Sequence, residues 1–285
     1  MTIVVTGATG HLGHLIVEAL IRDGVAHGEI VAGGRDLGKL EDLKAQGVHV
    51  VPLDYDDPAS LSAALAGADS LMLVSASEPG KRVPQHKAAI DAAVAAGVKH
   101  IVYTSAPKAR TTHLILAPEH KSTEELIEAS GIPFTILRNG WYTENYVAAA
   151  KQAAESGVLV SSIGDGQVAS ASRKDYADAA AAVLTTEGHD GKVYELSGDY
   201  AWTQDELAAA ISKVTGKKVV YTPVNTEQHA AILKSAGLDE GTIGFVTGLD
   251  SNISDGVLAE TSGELAALIG HPTTPLEDGL AEALG

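Results

Sequence analysis

The chain has 285 residues, no cysteine and a formal net charge of −17 at pH 7. The lack of cysteine excludes disulfides and cysteine metal sites, and the negative charge would repel phosphate backbones and anionic lipid headgroups, which counts against a nucleic-acid partner. The first residues lead directly into an apolar run with no charged leader. No segment approaches the roughly 18 uninterrupted apolar residues of a membrane span, so we expect a cytoplasmic protein.

Short apolar runs alternate with longer segments of helical period, which is typical of repeated strand–helix–strand units. Gly24, Gly47 and Gly97 stand just after three of the helical segments, where a left-handed stop favours glycine. The pattern predicts an α/β fold, a Rossmann-like doubly wound parallel sheet of about seven strands. The predicted strands are 2–6, 29–33, 48–52, 70–75, 100–104, 133–138 and 192–197, and the predicted helices include 12–23, 37–46, 82–96 and 173–186.

The alternation loosens after about residue 140, and beyond 199 the chain reads as mostly short helices. We therefore expect a Rossmann domain of residues 1–141 and 164–198. The remaining segments, 142–163 and 199–285, are expected to form a small, mostly helical lobe over the C-terminal edge of the sheet, where doubly wound folds bind ligands.

The strongest local signal is T-G-A-T-G-H-L-G, residues 6–13, which follows the first strand and opens the first helix. Glycines at this spacing let the backbone turn tightly and approach a pyrophosphate, which then lies against the N–H groups of the helix start. The alternative is a tight strand-to-helix turn without a ligand. The cofactor-binding interpretation assigns contacts to Gly7, Ala8, Thr9, Gly10, His11, Leu12 and Gly13.

The end of the second strand indicates which nicotinamide cofactor is bound. An NAD enzyme usually places a carboxylate there, whereas this chain has Arg35, whose planar donors suit a 2′-phosphate and favour NADP. The alternative is a solvated loop cation. We expect Asp36 to cap the following helix, and Asp54, after the third strand, either reaches the adenine amino group or serves as a plain turn residue.

The chain lacks the usual proton donor of carbonyl reductases of this glycine spacing, which is a tyrosine with a lysine one helical turn away. None of its eight tyrosines has a lysine at the fourth following position. The stretch A-P-E-H-K-S-T-E-E-L, residues 117–126, offers His120 and Glu124 instead. His120 titrates in a suitable range, but the neighbouring Glu119 and Glu125 favour the alternative of a polar surface residue. The eleven histidines show no H-E-x-x-H or comparable cluster, so no metal site is expected.

Several motifs together resemble a known family. They are T-G-A-T-G-H-L-G, V-P-Q-H at 83–86, Y-T-S at 103–105, L-R-N-G-W-Y-T-E-N-Y at 137–146, A-S-R-K-D-Y-A at 171–177, K-V-Y-E-L-S-G-D from 192 and L-I-G-H-P-T-T from 268. The chain resembles the atypical extended short-chain dehydrogenase/reductases of the NmrA-like group, and within it the type 2 NAD(P)H:quinone oxidoreductases. That family also lacks the tyrosine–lysine dyad and carries a histidine like His120.

The resemblance implies an NADPH-dependent reductase of quinones or other planar acceptors. Hydride addition to a quinone gives a delocalised hydroquinone anion that water can protonate, so the missing dyad is compatible with this chemistry. Two alternatives stay open: an NmrA-like regulatory protein that senses NADP(H) without turnover, and a reductase of triarylmethane dyes. An oligomer is compatible with the sequence.

The sequence and the resemblance also assign further site residues. Trp141 and Tyr142 are expected to form an aromatic wall for a flat acceptor, whereas Tyr146 is expected to anchor the lobe. The further cofactor contacts are Ser75, Ala76, Ser77, Thr104, Asn139, Gly140, Trp141, Tyr142 and Arg173, and the substrate pocket comprises Ser105, His120, Trp141, Tyr142 and Asn145.

Overall fold

A computed structural model describes residues 1–78 and 80–285. The strands are β1 (Ile3–Val5), β2 (Ile30–Gly34), β3 (His49–Pro52), β4 (Ser70–Leu73), β5 (His100–Ser105), β6 (Phe134–Asn139), β7 (Val158–Ser161), β8 (Gln167–Val168), β9 (Val193–Leu196), β10 (Trp202–Thr203) and β11 (Val220–Pro223). The α-helices are α1 (His11–Arg22), α2 (Glu41–Ala45), α3 (Pro58–Leu65), α4 (Arg82–Ala96), α5 (Ala117–Ala129), α6 (Val147–Ser156), α7 (Arg173–Thr185), α8 (Gln204–Thr215), α9 (Thr226–Ser235), α10 (Glu240–Ser254), α11 (Glu264–Ile269) and α12 (Leu276–Leu284).

Seven of the strands form one parallel sheet in the order β3-β2-β1-β4-β5-β6-β9. The prediction of a doubly wound α/β sheet of about seven strands is therefore confirmed. The chain runs outward in both directions from β1 and β4, so the loops after these two strands meet at the point where the strand order reverses. Ligands of doubly wound folds bind in the crevice outside such a point.

Hydrophobic clusters cover both faces of the sheet. Helices α1, α7 and α11 pack on one face around Ile16, Leu20 and Leu265, and α3, α4 and α5 pack on the other around Leu61 and Ile127. A third cluster surrounds the buried indole of Trp202 with side chains from α6, α8, α10 and α12, most of them in the segments expected to form the lobe. The sheet is thus buried on both faces, as parallel sheets require.

Single residues in the sequence, such as glycines and a capping aspartate, predicted several helix ends correctly. Gly24, Gly47 and Gly97 all have positive φ, at 91°, 94° and 73°, which confirms the predicted left-handed stops. The expected helix over 37–46 is instead a 3-10 turn at Leu37–Leu40 followed by α2, and the carboxylate of Asp36 accepts the Gly38 N–H at 3.2 Å, as a cap does.

The packing crosses the expected segment boundaries, and Ala106, Leu114 and Ala117 join the cluster around Trp202. Val168 pairs with Trp202 across β8 and β10 and lies in the lobe cluster, whereas Leu265 of α11 packs against the sheet. The lobe also contains a parallel strand pair, β7 with β11, that the sequence analysis missed. The division into two domains stays a prediction. Within residues 1–78 and 80–285, no helix is long and apolar enough to cross a membrane.

Candidate functional site

A cavity of about 500 Å³ lies over the carboxyl ends of β1, β4, β5 and β6. It brings together most of the residues assigned from the sequence. Those that line it are Gly7, Thr9, Gly10, His11, Leu12, Gly13, Arg35, Asp54, Ser75, Ala76, Ser77, Ser105, His120, Asn139, Gly140, Trp141, Tyr142, Asn145 and Arg173.

The glycine loop forms one wall of this cavity. Its glycines are required, because larger side chains would not fit at these positions. Gly7 has a φ of 60°, and a Cβ on Gly13 would lie 2.3 Å from the Gly7 carbonyl oxygen. The loop also packs against the end of β2, where a Cβ on Gly34 would lie 2.3 Å from Cγ2 of Thr9. No acidic residue stands in the first turn of α1, so the positive end of the helix dipole faces the cavity uncompensated. This cradle fits a pyrophosphate.

Three side chains form hydrogen bonds to the backbone of Ser75 and Ala76, in the loop after β4. The Ser75 N–H donates to Oγ1 of Thr104 at 2.8 Å, and the Ala76 N–H donates to Nε2 of His86 at 2.9 Å. Nε of Arg82 donates to the Ala76 carbonyl at 2.8 Å. Thr104, assigned to cofactor contact from the sequence, is buried and does not line the cavity, and its hydroxyl oxygen supports Ser75.

His86 is held as a neutral imidazole of one tautomer. Because Nε2 accepts from Ala76, the ring proton lies on Nδ1, which donates to Oγ1 of Thr123 at 2.9 Å. Burial, followed by the nearby charges, lowers the pKa of His86 to about 3. Protonation would remove the acceptor for the Ala76 N–H, so the low pKa keeps this loop clamped at ordinary pH.

His120 is buried, not exposed as the neighbouring acidic residues suggested. Its Nδ1 and the Tyr103 hydroxyl share a hydrogen bond of 2.7 Å. Burial, followed by the charge of Arg82, lowers the pKa of His120 to about 3. The ring is therefore neutral between pH 5 and 9, and it lines the cavity.

Glu124, one turn beyond His120, takes no part in the cavity. Its buried carboxylate accepts from the Ser105 hydroxyl at 2.7 Å and from Arg138 and Arg110. Ser105 lines the cavity as expected, but its hydroxyl proton is directed at Glu124 and away from any ligand.

An apolar wall lies at the end of the cavity near His120. It is formed by Pro107, Leu114 and Leu116 from the loop before α5, and by Trp141 after β6. We call these four residues the acceptor wall. The sequence analysis found only Trp141, because leucines in a loop carry no local signal of a binding site.

The aromatic residues after β6 divide between two roles. Tyr142 lines the cavity, packs edge-on against Tyr176 at 5.2 Å and lies under the guanidinium of Arg173 at 4.9 Å. Tyr146 does not line the cavity and packs edge-on against the ring of Trp202 at 4.9 Å. Trp141 and Tyr142 therefore line the cavity, and Tyr146 does not.

Two residues of the cavity lining carry a buried acceptor atom without a partner in the described part of the chain. Oδ1 of Asn139 and Oε1 of Gln85 are buried and have no hydrogen-bond partner within the described residues. Buried acceptors left without a partner are costly. Asn139 was assigned from the sequence and Gln85 was not. Ala8, also assigned from the sequence, does not line the cavity, and its side chain packs in the sheet core.

A possible cation site lies outside the cavity. Among the described residues, His14, Glu18 and Asp42 bring three ligand atoms within 4.8 Å of one another. The two carboxylate side chains are largely exposed, and no second observation points to an ion.

The sheet, the glycine cradle and the cavity at the reversal of strand order together define a dinucleotide-binding protein of the Rossmann type. The chain belongs to the NmrA-like family, whose model matches residues 1–247. The family resemblance seen in the sequence is thereby confirmed.

Relatives and solved structures agree with this family. Quinone oxidoreductase 2 of Escherichia coli (strain K12) is 49% identical over 98% of this chain and 97% of its own length. The Escherichia coli NADPH-dependent quinone oxidoreductase complexed with NADPH has a TM-score of 0.94 and 48% identity, with 100% of both chains covered. Citrobacter sp. triphenylmethane reductase complexed with NADP(H) has a TM-score of 0.93 and 40% identity, with 99% of this chain and 100% of that chain covered.

Proposed function

We propose that this chain is an NADPH-dependent reductase of quinones. The observation that carries the proposal is the continuity of one cavity, which joins the glycine cradle and Arg35 to the acceptor wall beside a neutral histidine. The 49% identity to Escherichia coli quinone oxidoreductase 2 over nearly the whole chain supports the same activity.

The cofactor would lie along the glycine loop, with its pyrophosphate at the start of α1 and its 2′-phosphate at Arg35. Asn139, Tyr142 and Arg173 would contact the part of the cofactor nearer the acceptor wall. When bound, NADPH supplies a hydride. The chain's own task is to orient the two partners and to exclude bulk water, which the apolar acceptor wall favours.

Proton transfer needs little help from the protein in this reaction. The hydroquinone anion is delocalised and far less basic than the alkoxide formed from a ketone. The neutral ring of His120 faces the acceptor end of the cavity, but its low pKa leaves no imidazolium at neutral pH. We therefore propose that solvent supplies the proton.

The test is steady-state oxidation of NADPH with a panel of a simple benzoquinone, an aliphatic ketone and a triarylmethane dye. We expect turnover with the quinone and none with the ketone. Dye reduction is a second candidate activity, favoured by the Citrobacter enzyme, which has the same fold at 40% identity. Cofactor binding without turnover of any acceptor would favour an NADP(H)-sensing regulatory protein.

We expect that His120→Ala lowers kcat/KM for a benzoquinone by less than about tenfold. A side chain acting as general acid contributes about a hundred- to ten-thousandfold, so a small loss fits protonation by solvent. With a pKa near 3, His120 titrates below the range tested, and the parent should show no inflection from it between pH 5 and 9.

The matched variant is His120→Asn, whose carboxamide can still pair with the Tyr103 hydroxyl and so preserves packing better. A loss beyond a hundredfold in both variants, with an inflection near pH 6 to 7 that disappears, would make His120 the acid.

A further inference from the structure

The cation assigned to the 2′-phosphate is already engaged in this structure. Nη1 of Arg35 donates to Oε1 of Glu78 at 2.9 Å, and the other oxygen of Glu78 accepts from Nζ of Lys81 at 3.2 Å. Glu78 and Arg35 both line the cavity, and they come from different loops, after β4 and after β2. The contact is therefore part of the rim of the site and not a local pair within one helix.

The other two arginines of the cavity lining, Arg82 and Arg173, are bonded to other partners. Arg82 is buried and bonded to Glu119 and to the Ala76 carbonyl, so it clamps the loop after β4. Arg173 is bonded to Asn145 and lies over the ring of Tyr142. Arg35 is more exposed than either, with 65% of its side chain accessible. An anionic group entering from solvent at the β2 end would meet Arg35 together with the carboxylate of Glu78.

We propose that Glu78 is a specificity-determining residue that competes with the 2′-phosphate of the cofactor for Arg35. This proposal rests on the proposed function in one respect, namely that the cofactor is NADPH, which carries a 2′-phosphate. A carboxylate and a phosphate present similar acceptor oxygens to a guanidinium, and the same face of the fork cannot serve both. An anion that takes Nη1 must displace Glu78, whereas a ribose with a free 2′-hydroxyl need not.

The exchange is feasible because each contact of Glu78 is weak and partly solvated. Exposed ion pairs contribute little to stability, and Lys81 stands one turn away to keep the displaced carboxylate paired. The carboxylate still lies within a few ångströms of the incoming dianion, and repulsion at that range is not negligible near a protein surface. Glu78 therefore lowers the affinity for 2′-phosphorylated ligands without affecting those that lack the group.

The experiment measures binding of 2′,5′-ADP and 5′-AMP by calorimetry, with Glu78→Gln as the test variant. We expect 2′,5′-ADP to bind about three- to tenfold more tightly to Glu78→Gln than to the parent. Binding of 5′-AMP should change by less than about twofold. In an Arg35→Ala background the same substitution should have a smaller effect on 2′,5′-ADP, since no guanidinium is left to compete for and only the repulsion between Glu78 and the phosphate remains.

Glu41→Gln is the matched control. Glu41 also pairs with a lysine three residues on, Lys44, and its removal changes the net charge equally, but it does not line the cavity. An equal gain in Glu41→Gln, an equal gain for 5′-AMP, or weaker binding of 2′,5′-ADP to Glu78→Gln would each overturn the proposal, as would a parent that binds neither ligand. The binding experiment does not depend on quinone turnover. Tighter binding of 2′,5′-ADP to Glu78→Gln in a protein without reductase activity would contradict the proposed function but would still support the role of Glu78.

Discussion

Glu124→Lys is expected to prevent folding or to lower the free energy of unfolding by at least about 3 to 5 kcal/mol, the usual cost of breaking a buried ion pair. The carboxylate of Glu124 is fully buried and accepts from Nε and Nη2 of Arg138 at 2.9 and 2.7 Å, from Nε of Arg110 at 3.0 Å and from Ser105. Burial alone would raise the pKa of Glu124, but the hydrogen bonds from Arg138 and Ser105 hold it below its usual range. A lysine would place a third cation among two guanidinium groups.

Urea unfolding of the variants measures this cost. Glu124→Gln keeps the shape and gives a value when the lysine variant fails to fold. Glu125→Lys is the control, because it makes the same charge change at the next residue, which is exposed, and should stay within about 0.5 kcal/mol of the parent. A Glu124→Lys protein as stable as the Glu125→Lys control would contradict the role given to this ion pair.

The same network decides a question raised by the sequence. Replacing His120 by Tyr and Glu124 by Lys would introduce the missing tyrosine–lysine dyad. We expect that this double variant does not reduce ketones. The reason is structural, since position 124 carries a buried anion that pairs with both Arg138 and Arg110.

Features fixed by neighbours in the chain were predicted well. The seven sheet strands follow from short apolar runs between helical segments, and the glycine cradle follows from a spacing within eight residues. Gly97, for example, is required by its own φ of 73° at the end of α4. Such signals are local, because the conformation of one or two residues determines which side chains are allowed.

Features that depend on distant partners were not predicted. His120 and Glu124 lie in a polar stretch of sequence, and the packing of α5 against α4, β5 and β6 buries them. Arg82 binds Glu119 from a separate helix 37 residues away. Leu114 and Leu116 become part of the acceptor wall because their loop folds over the sheet edge. No pattern within a short window distinguishes these residues from surface or loop positions.

Arg35 is a case where local sequence indicated the chemistry but not the surroundings. Its place after β2 suggested a 2′-phosphate contact, and it does line the cavity at that end. Its pairing with Glu78, 43 residues away, was not foreseen. The pairing matters for the size of any effect, because the phosphate gains only the difference between its own contact with Arg35 and the contact that Glu78 gives up.

Arg35→Ala is expected to weaken NADPH binding by about ten- to a hundredfold, the range of a charge-assisted bidentate contact worth roughly 1.5 to 3 kcal/mol. NADH binding should change little, since its ribose offers no phosphate to the guanidinium. Arg35→Lys keeps the charge without the planar fork and should give an intermediate loss. Arg22→Ala is the control, because Arg22 is half-exposed, pairs with Asp178 and does not line the cavity. Dissociation constants for both cofactors, measured by calorimetry at fixed ionic strength, decide the matter. Equal affinity of the parent for NADPH and NADH would refute the assignment, because a cation that contacts the 2′-phosphate must favour the cofactor that carries it.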